Sequence, residues 1–232
     1  MMSAIHWQKL SPYFKLAYFR FFLSWFALAP VVVKILENFP NPLPITIIGK
    51  THLVDISMPF NWTILWFGSL FYLSALVLYA LVCPAFIKQF PDFSAFKAEE
   101  HSPRYLAHKI EEAFKQKSRR EQFISRLSTK GYVEKELPER YDTLGVASVE
   151  SEGTVYRFNH NSDYYKISIS ENFDSDKTRD LFWEIFEVFC SRSAFFRIVI
   201  SLFLFASLLM VCWVLVQQIY FVLDYYFFNA TI

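Results

Sequence analysis

Two long stretches of the chain contain no charged residue. The first runs 22 residues from Trp62 to Cys83, and the second runs 19 residues from Ile198 to Val216. A helix rises about 1.5 Å per residue, so either stretch is long enough to cross a hydrocarbon core of about 30 Å. Charged side chains at mid-membrane are unfavourable, which accounts for their absence from both stretches. The pattern predicts two transmembrane helices.

A third, weaker apolar segment precedes these two. Its uncharged core, Phe21–Val33, has only 13 residues, a length that also suits a re-entrant or interfacial segment. Basic residues at both ends can reach opposite interfaces, which extends the segment to Leu16–Leu36. We predict a full span with a kink at Pro30. The alternative is a signal peptide cleaved after Ala27-Leu28-Ala29, but the proline directly after that site argues against it.

Charged residues concentrate between the two long apolar stretches. Of the 23 Lys and Arg residues, 17 lie between Lys88 and Arg192, as do 19 of the 22 Asp and Glu residues. With 54% hydrophobic residues the chain is too apolar for an ordinary soluble domain of its length. This distribution predicts one water-soluble module that is tethered to the bilayer at both ends.

Within the module, the spacing of apolar residues predicts helices at both ends and strands between them. Apolar positions three and four residues apart predict one bent helix or a helical pair over Pro103–Lys130, and another helix over Asp174–Cys190. Alternation of apolar and polar residues predicts a three-stranded antiparallel meander. Its strands are Val146–Val149, Thr154–Phe158 and Tyr164–Ile169.

Two connecting stretches have patterns of their own. Ile45–Ile48 and Thr51–Ile56 flank Gly49-Lys50, which predicts a hairpin with a two-residue turn. Phe86–Lys97 interleaves aromatic residues with lysines, and this predicts a segment that lies along the inner leaflet of the membrane.

Basic residues beside the spans predict the topology. They are abundant before the first span, after the second and before the third, whereas the loop between the first two spans holds only Lys34 and Lys50. Because basic residues favour the cytosolic side, the N-terminus and the module are expected in the cytosol and the C-terminus outside.

The fold class predicted is therefore an α-helical transmembrane protein of three spans with an inserted cytosolic α+β domain. The predicted parts are the N-terminus with the first span (1–36), an external loop (37–60), the second span (61–87), the cytosolic domain (88–194), the third span (195–223) and a short external tail (224–232).

Small and polar residues in the spans are candidates for a membrane-association face between copies of the chain. Gly68, Ser69, Ser74 and Ala75 lie in the second span and permit close approach of helices. The pair Gln217-Gln218 in the third span needs hydrogen-bond partners at depth, which favours helix association or a water-filled path; placement at the outer interface is the alternative. A homo-oligomer is expected on these grounds.

A basic patch on the predicted helix of the module is a candidate contact for a partner or for lipid. Its residues are Lys115, Lys117, Arg119, Arg120 and Arg126. A solvated helix face, contact with anionic lipid and contact with nucleic acid are all compatible with this pattern. Direct binding of nucleic acid is not expected, because acidic residues outnumber basic ones across the module.

Catalytic and metal-binding signatures are scarce. The phosphate-binding, dinucleotide-binding, zinc-protease and serine-hydrolase motifs are all missing, and the chain has only five glycines. His160 is the most catalytic-looking residue, although its Asn, Ser and Asp neighbours are typical of a turn. His101 and His108 share a helical face only if the helix already includes His101. We predict a protein that is not an enzyme and needs no cofactor or metal.

In layout the chain resembles the small transmembrane effectors of bacterial antiphage systems, in particular those encoded beside retron reverse transcriptases. The resemblance lies in the apolar spans Trp62–Cys83 and Ile198–Val216 around the mixed module Lys88–Arg192. It implies an inner-membrane toxin restrained by a reverse transcriptase with its RNA–DNA product, and released on infection to damage the membrane. The expected partners are therefore the lipid bilayer, further copies of the chain and a cytosolic protein or ribonucleoprotein.

Two other functions fit the same sequence. One is a membrane anchor that recruits a cytosolic complex without perturbing the bilayer, and the other is a membrane-bound enzyme in which His160 and neighbouring acids act on lipid or peptide. Loss of activity in His160→Ala with intact membrane insertion would favour the enzyme.

Overall fold

The computed structural model describes residues 6–15, 18–47, 50–54, 60–137, 144–150, 153–170, 176–224 and 227. Most of the predicted external tail and the glycine of the predicted hairpin turn lie outside these residues.

The described residues are mostly helical. In chain order the helices are α1 (Trp7–Lys15), α2 (Tyr18–Leu36), α3 (Trp62–Val82), α4 (Ala85–Gln89), α5 (Phe93–Ala98), α6 (Pro103–Phe114), α7 (Lys117–Thr129), α8 (Asp176–Cys190) and α9 (Ala194–Leu223). The strands are β1 (Leu43–Ile47), β2 (Lys50–Val54), β3 (Val133–Glu136), β4 (Ala147–Glu150), β5 (Gly153–His160) and β6 (Asp163–Ile169).

The chain divides into two compact units. Met1–Gln8 and Cys83–Arg192 form one, here called the α+β unit, and Lys9–Val82 with Ser193–Ile232 form the other, here called the apolar-helix unit. The α+β unit starts at Cys83 and ends at Arg192. The limits predicted for a cytosolic domain, 88 and 194, stay a prediction.

The apolar-helix unit contains two helices that are long and apolar enough to cross a membrane. These are α3, with 21 residues, and α9, with 30. At 1.5 Å per residue they measure about 32 Å and 45 Å. The preceding α2 has 19 residues and contains Pro30. Phe26 of α2 stacks on Trp66 of α3, with ring centroids 5.5 Å apart. A full span for α2 stays a prediction.

The predicted hairpin is present with a different turn. β1 and β2 pair antiparallel, and Ile47 lies opposite Lys50. The residues between the strands are thus 48 and 49, whereas the sequence pointed to Gly49-Lys50. Lys50 belongs to the second strand because the register moves the turn back by one residue.

In the α+β unit, local capping fixes the helix ends that the sequence indicated. The backbone N–H of Arg104 donates to Ser102 Oγ at 3.4 Å at the start of α6, and Pro103 occupies the first turn. α7 ends before Gly131, whose φ of 71° is in the left-handed region that favours glycine. The stretch 103–130 is therefore a helical pair.

The sheet of this unit has four antiparallel strands in the order β3-β6-β5-β4. The predicted meander corresponds to β4, β5 and β6, while β3 adds a fourth strand beside β6. The three-stranded prediction is thus incomplete. β3 is short and polar, and it is held by cross-strand ion pairs of Glu134 with Lys166 (3.1 Å) and Lys135 with Asp163 (2.9 Å).

The hydrophobic core of the unit is rich in aromatic rings. The ring centroid of Phe86 lies 5.4 Å from that of Phe182 and 5.5 Å from that of Phe189, both in α8. The rings of Phe90 and Phe96 pack edge to face, with centroids 5.2 Å apart. Phe86, Phe90 and Phe96 are all buried. These three rings therefore belong to the core of the α+β unit, and contact of Phe86–Lys97 with the inner leaflet stays a prediction.

Candidate functional site

The α3 and α9 helices pack against each other through small residues. A Cβ atom added at Gly68 would stand 3.3 Å from Met210 Cβ and 3.7 Å from the Ser207 carbonyl oxygen. Gly68 and Ser207 are both buried. Glycine is needed here because the backbone of one helix closely approaches the other. The predicted association residue Gly68 thus contacts α9 of its own chain.

The other small residues of α3 are also accommodated within the chain. Ser69 and Ala75 are buried, and Ser69 Oγ donates to the Leu65 carbonyl oxygen at 3.0 Å. Ser74 is half-buried and donates to the Leu70 carbonyl oxygen at 2.9 Å. These intrahelical bonds satisfy both hydroxyl groups without a partner helix. Association of two copies through this face stays a prediction.

Replacing Gly68 with leucine is expected to destabilise the α3–α9 pair by about 1–3 kcal/mol, the usual range for overpacking a close contact. The reason is the 3.3 Å distance from the new Cβ to Met210 Cβ. Thermal unfolding in detergent micelles measures the effect. Ala80→Leu is the matched control, because Ala80 lies on an exposed side of α3. Equal unfolding temperatures for the two variants would contradict the close approach.

Gln217 makes a contact at the end of α3. Its Oε1 accepts a hydrogen bond of 3.0 Å from the backbone N–H of Asn61, the residue before α3 begins. This bond satisfies one of the N–H groups that a helix leaves free at its N-terminus. Gln217 and Gln218 are both half-buried. The contact fits the interfacial alternative, since Gln217 lies level with a helix end rather than with its middle.

The remaining surface of α9 is apolar and exposed. Large side chains with half or more of their surface exposed extend over the central turns of the helix, and they are Leu202, Phe205, Leu208, Leu209, Trp213, Leu215, Val216 and Ile219. Isolated apolar residues are normal on a soluble protein, but a continuous surface of this kind marks contact with a membrane or another protein.

The predicted basic patch is divided among several acidic and polar partners. Lys115 Nζ lies 2.9 Å from Glu111 Oε1. Arg120 donates to the Asn159 carbonyl oxygen at 2.6 Å and lies over the ring of Phe114. Arg119 and Arg126 line one small cavity with Glu184, and the side chain of Lys117 lies outside the described residues. Among the side chains that the structure describes, Arg119 and Arg126 thus share one cavity. Contact of the patch with a partner or with lipid stays a prediction.

Arg126 belongs to a charged cluster between α7 and α8 that is centred on Glu184. The Glu184 carboxylate is 4% exposed, and its two oxygens lie 2.8 Å from Arg126 Nε and 3.0 Å from Lys130 Nζ. Lys130 Nζ also lies 3.5 Å from Asp180, which accepts a bond of 3.0 Å from the Tyr132 hydroxyl. Hydrogen bonding to Glu184 raises the pKa of Lys130.

A second charged cluster lies on the sheet. Arg157 of β5 is buried and donates to Glu136 of β3 at 2.8 Å, to Ser148 at 3.1 Å and to Glu150 of β4. Hydrogen bonding to Glu136, and then to Glu150, raises the pKa of Arg157. One guanidinium thus ties together three strands. The alternation along β5, which places an arginine among apolar neighbours, was the available sequence signal for this cluster.

The histidines considered as catalytic or metal-binding residues lie apart and have different neighbours. His160 ends β5 opposite Asp163, across the turn at residues 161–162. His101 stacks on Tyr105 with ring centroids 4.7 Å apart and contacts Glu99 at 2.9 Å. His108 is 3.8 Å from Glu111. Among the described residues no three His, Cys, Asp or Glu side chains are grouped to hold a metal ion.

One contact was not foreseen from the sequence at all. Trp7 is fully buried in the α+β unit, and its indole N–H donates to the carbonyl oxygen of Arg192 at 2.9 Å. A tryptophan among polar residues near a chain start carries no periodic signal, and the two partners are 185 positions apart. Such a contact depends on the folded structure alone.

Three comparisons with known proteins gave no match. No family model, no curated protein and no solved structure is similar to this chain.

Proposed function

We propose that this chain is a membrane effector of bacterial antiviral defence, which crosses the inner membrane and permeabilises it as a homo-oligomer. The observation that carries the membrane part is the exposed apolar surface of α9. Leu209 and Trp213, at the middle of this 30-residue helix, are 53% and 56% exposed. Lipid, or lipid with further copies of the chain, covers such a surface at little cost.

The short connections between the two units support an effector rather than a passive span. α3 ends at Val82 and the α+β unit begins at Cys83, while Arg192 is followed directly by Ser193 and α9. The α+β unit is therefore joined to the apolar-helix unit at three points of the chain, between residues 8 and 9 within α1, between 82 and 83, and between 192 and 193. A cytosolic partner that holds or releases this unit, such as a reverse transcriptase with its RNA–DNA product, can thereby act on the spans.

The basic residues support a cytosolic position for the α+β unit. Lys88 and Arg192 lie near two of its connections to the apolar helices, whereas the tail after α9 contains Asp224 and no basic residue. Basic residues are enriched on the cytosolic side of spans. The same rule favours a cytosolic N-terminus, because Lys9, Lys15 and Arg20 precede the first predicted span.

Inducing the isolated chain in a bacterium is expected to depolarise the inner membrane, as measured with a potential-sensitive dye. Leu73→Arg and Leu209→Arg are expected to abolish the signal, because a cation at the centre of a span costs about 2.5–3.5 kcal/mol. Leu137→Arg is the matched control, since Leu137 is 81% exposed in the α+β unit. Carbonate extraction verifies that each variant remains in the membrane.

Different outcomes separate the competing functions. Normal potential and growth on strong induction, with the protein confirmed in the membrane, would contradict the effector and favour an anchor for a cytosolic complex. A signal that persists in both Leu→Arg variants would show that the two spans do not cause the damage.

A further inference from the structure

We propose that Trp7, at the start of α1, restrains the Arg192–Ser193 joint between α8 and α9, and we call this contact the latch. Release of Trp7 from the contact frees the joint to move. The latch would be the intramolecular restraint of the protein, beside any external partner. Its connection to membrane damage rests on the proposed function, whereas the latch itself does not.

Trp7 anchors the N-terminal segment by a single large side chain. The ring is fully buried and the indole N–H is satisfied by the Arg192 carbonyl oxygen at 2.9 Å. The neighbouring residues His6 and Gln8 instead line a cavity of about 240 Å³, together with Glu184, Glu187 and others on the same unit. Chain termini are disordered unless they are tied down. Here the buried ring of Trp7 supplies such a tie within the α+β unit.

The bond from Trp7 ends on the peptide that joins the two helices. α8 closes with bonds from the Ser191 and Arg192 amides to the carbonyl oxygens of Glu187 and Phe189. Ser193 then adopts a φ of 56°, and α9 begins at Ala194. A left-handed conformation is unfavourable for serine and persists only where surrounding contacts enforce it. The joint is thus a strained helix break, and the bond from Trp7 is one such contact.

The latch and a continuous helix compete for the same carbonyl group. If residues 191–193 became helical, the Arg192 carbonyl oxygen would turn toward the amide of residue 196, four positions ahead. In the structure this oxygen accepts from Trp7 instead. Releasing Trp7 therefore removes a contact that only the broken joint can make, and it allows Ser193 to leave the left-handed region.

Hydrogen exchange of the full-length chain in detergent micelles tests the latch. Trp7→Ala is expected to speed exchange of the amides in residues 188–197 by at least about tenfold, while the amides of β5 and β6 keep their rates. Trp7→Phe keeps most of the ring but loses the N–H, so a smaller increase is expected. Gln8→Ala is the control, because this neighbour is exposed.

Two results would overturn the latch. Trp7→Ala could speed exchange equally across the whole α+β unit, which would make Trp7 an ordinary core residue, or it could leave residues 188–197 unchanged. Ser193→Gly provides an independent arm, because glycine adopts a φ of 56° without steric cost. In a double variant with Trp7→Ala, Ser193→Gly is expected to slow the amide exchange of residues 188–197 again. Exchange as fast as in Trp7→Ala alone would contradict the role of strain.

The regulatory part is tested by induction in a bacterium. Trp7→Ala is expected to depolarise the membrane at a several-fold lower protein level than the unchanged chain, and Gln8→Ala at the same level. Equal thresholds for Trp7→Ala and the unchanged chain, with the local exchange effect present, would show a structural tie without regulation. If even the unchanged chain fails to depolarise the membrane, the proposed function fails while the exchange result still stands.

Discussion

Replacing both Arg126 and Lys130 with methionine is expected to lower the free energy of unfolding of the α+β unit by about 3–5 kcal/mol, the range for a buried charge that loses its partners. The Glu184 carboxylate is only 4% exposed, and these two cations lie 2.8 and 3.0 Å from its oxygens. Without them a negative charge remains on a side chain that is almost fully buried. Thermal unfolding of the purified chain in detergent micelles at pH 7 measures the loss.

The comparison with other variants of the same cluster separates charge from packing. Arg126→Met alone is expected to cost about 1 kcal/mol, because Lys130 still neutralises the carboxylate and Arg126 is 47% exposed. Adding Glu184→Leu to the double variant is expected to restore most of the stability, since an apolar side chain of similar volume suits the buried site. Measurement at pH 7 is suitable because the pKa of Lys130 is raised in the folded protein. Its contribution to stability is therefore complete below the ordinary lysine pKa of 10.5.

A double variant as stable as the unchanged protein would contradict the assignment of Glu184 as a buried carboxylate held by two cations. If the triple variant stayed as unstable as the double variant, the loss would instead come from the aliphatic parts of Arg126 and Lys130 that cover α8.

The long elements of the fold were predictable because each carries its own repeating pattern. The apolar runs that became α3 and α9 needed only length and the absence of charge. The strands β4, β5 and β6 alternate apolar and polar residues over enough positions to show a period of two. In each case the signal lies within one segment of the chain.

The missed features depend on distant partners. β3 reads Val-Glu-Lys-Glu, a polar segment whose strand structure comes from pairing with β6. Phe86, Phe90 and Phe96 alternate with lysines in a way that suits a membrane interface, and only α8, nearly a hundred residues later, shows that they are core residues. No local period predicts which segment will cover another.

In the candidate sites, too, the local residue pattern was predictable and the distant partners were not. Gly68 was recognisable as a position of close helix approach, but the sequence did not reveal that the approaching helix is α9 of the same chain. The basic patch was recognisable as a run of cations, whereas the acids that divide it, notably Glu184, lie about sixty residues later. Charge runs predict electrostatic potential only when their neutralising partners are also near in sequence.

Replacing Arg157 with leucine is expected to destabilise the α+β unit by about 3 kcal/mol. Its guanidinium bonds to Glu136 of β3, a strand that does not pair with β5, and to Glu150 and Ser148 of β4, a strand that does. The leucine would leave two carboxylates without their shared cation. The loss falls at the low end of the range for broken buried pairs, because the Glu136 and Glu150 side chains are 18% and 35% exposed.

The effect is measured as an unfolding temperature lowered by roughly 10–15 °C in detergent micelles, given the size of the unit. Lys166→Met is the matched control on the same sheet, since its partner Glu134 is 52% exposed; its change is expected to stay within about 0.5 kcal/mol. The loss of stability in Arg157→Lys is expected to lie between those of Lys166→Met and Arg157→Leu. An ammonium group keeps the charge but cannot form two parallel hydrogen bonds as the guanidinium does. Equal losses for Lys166→Met and Arg157→Leu would mean that the sheet is held by its ladder and core alone, and that the Arg157 cluster does not contribute the stability assigned to it.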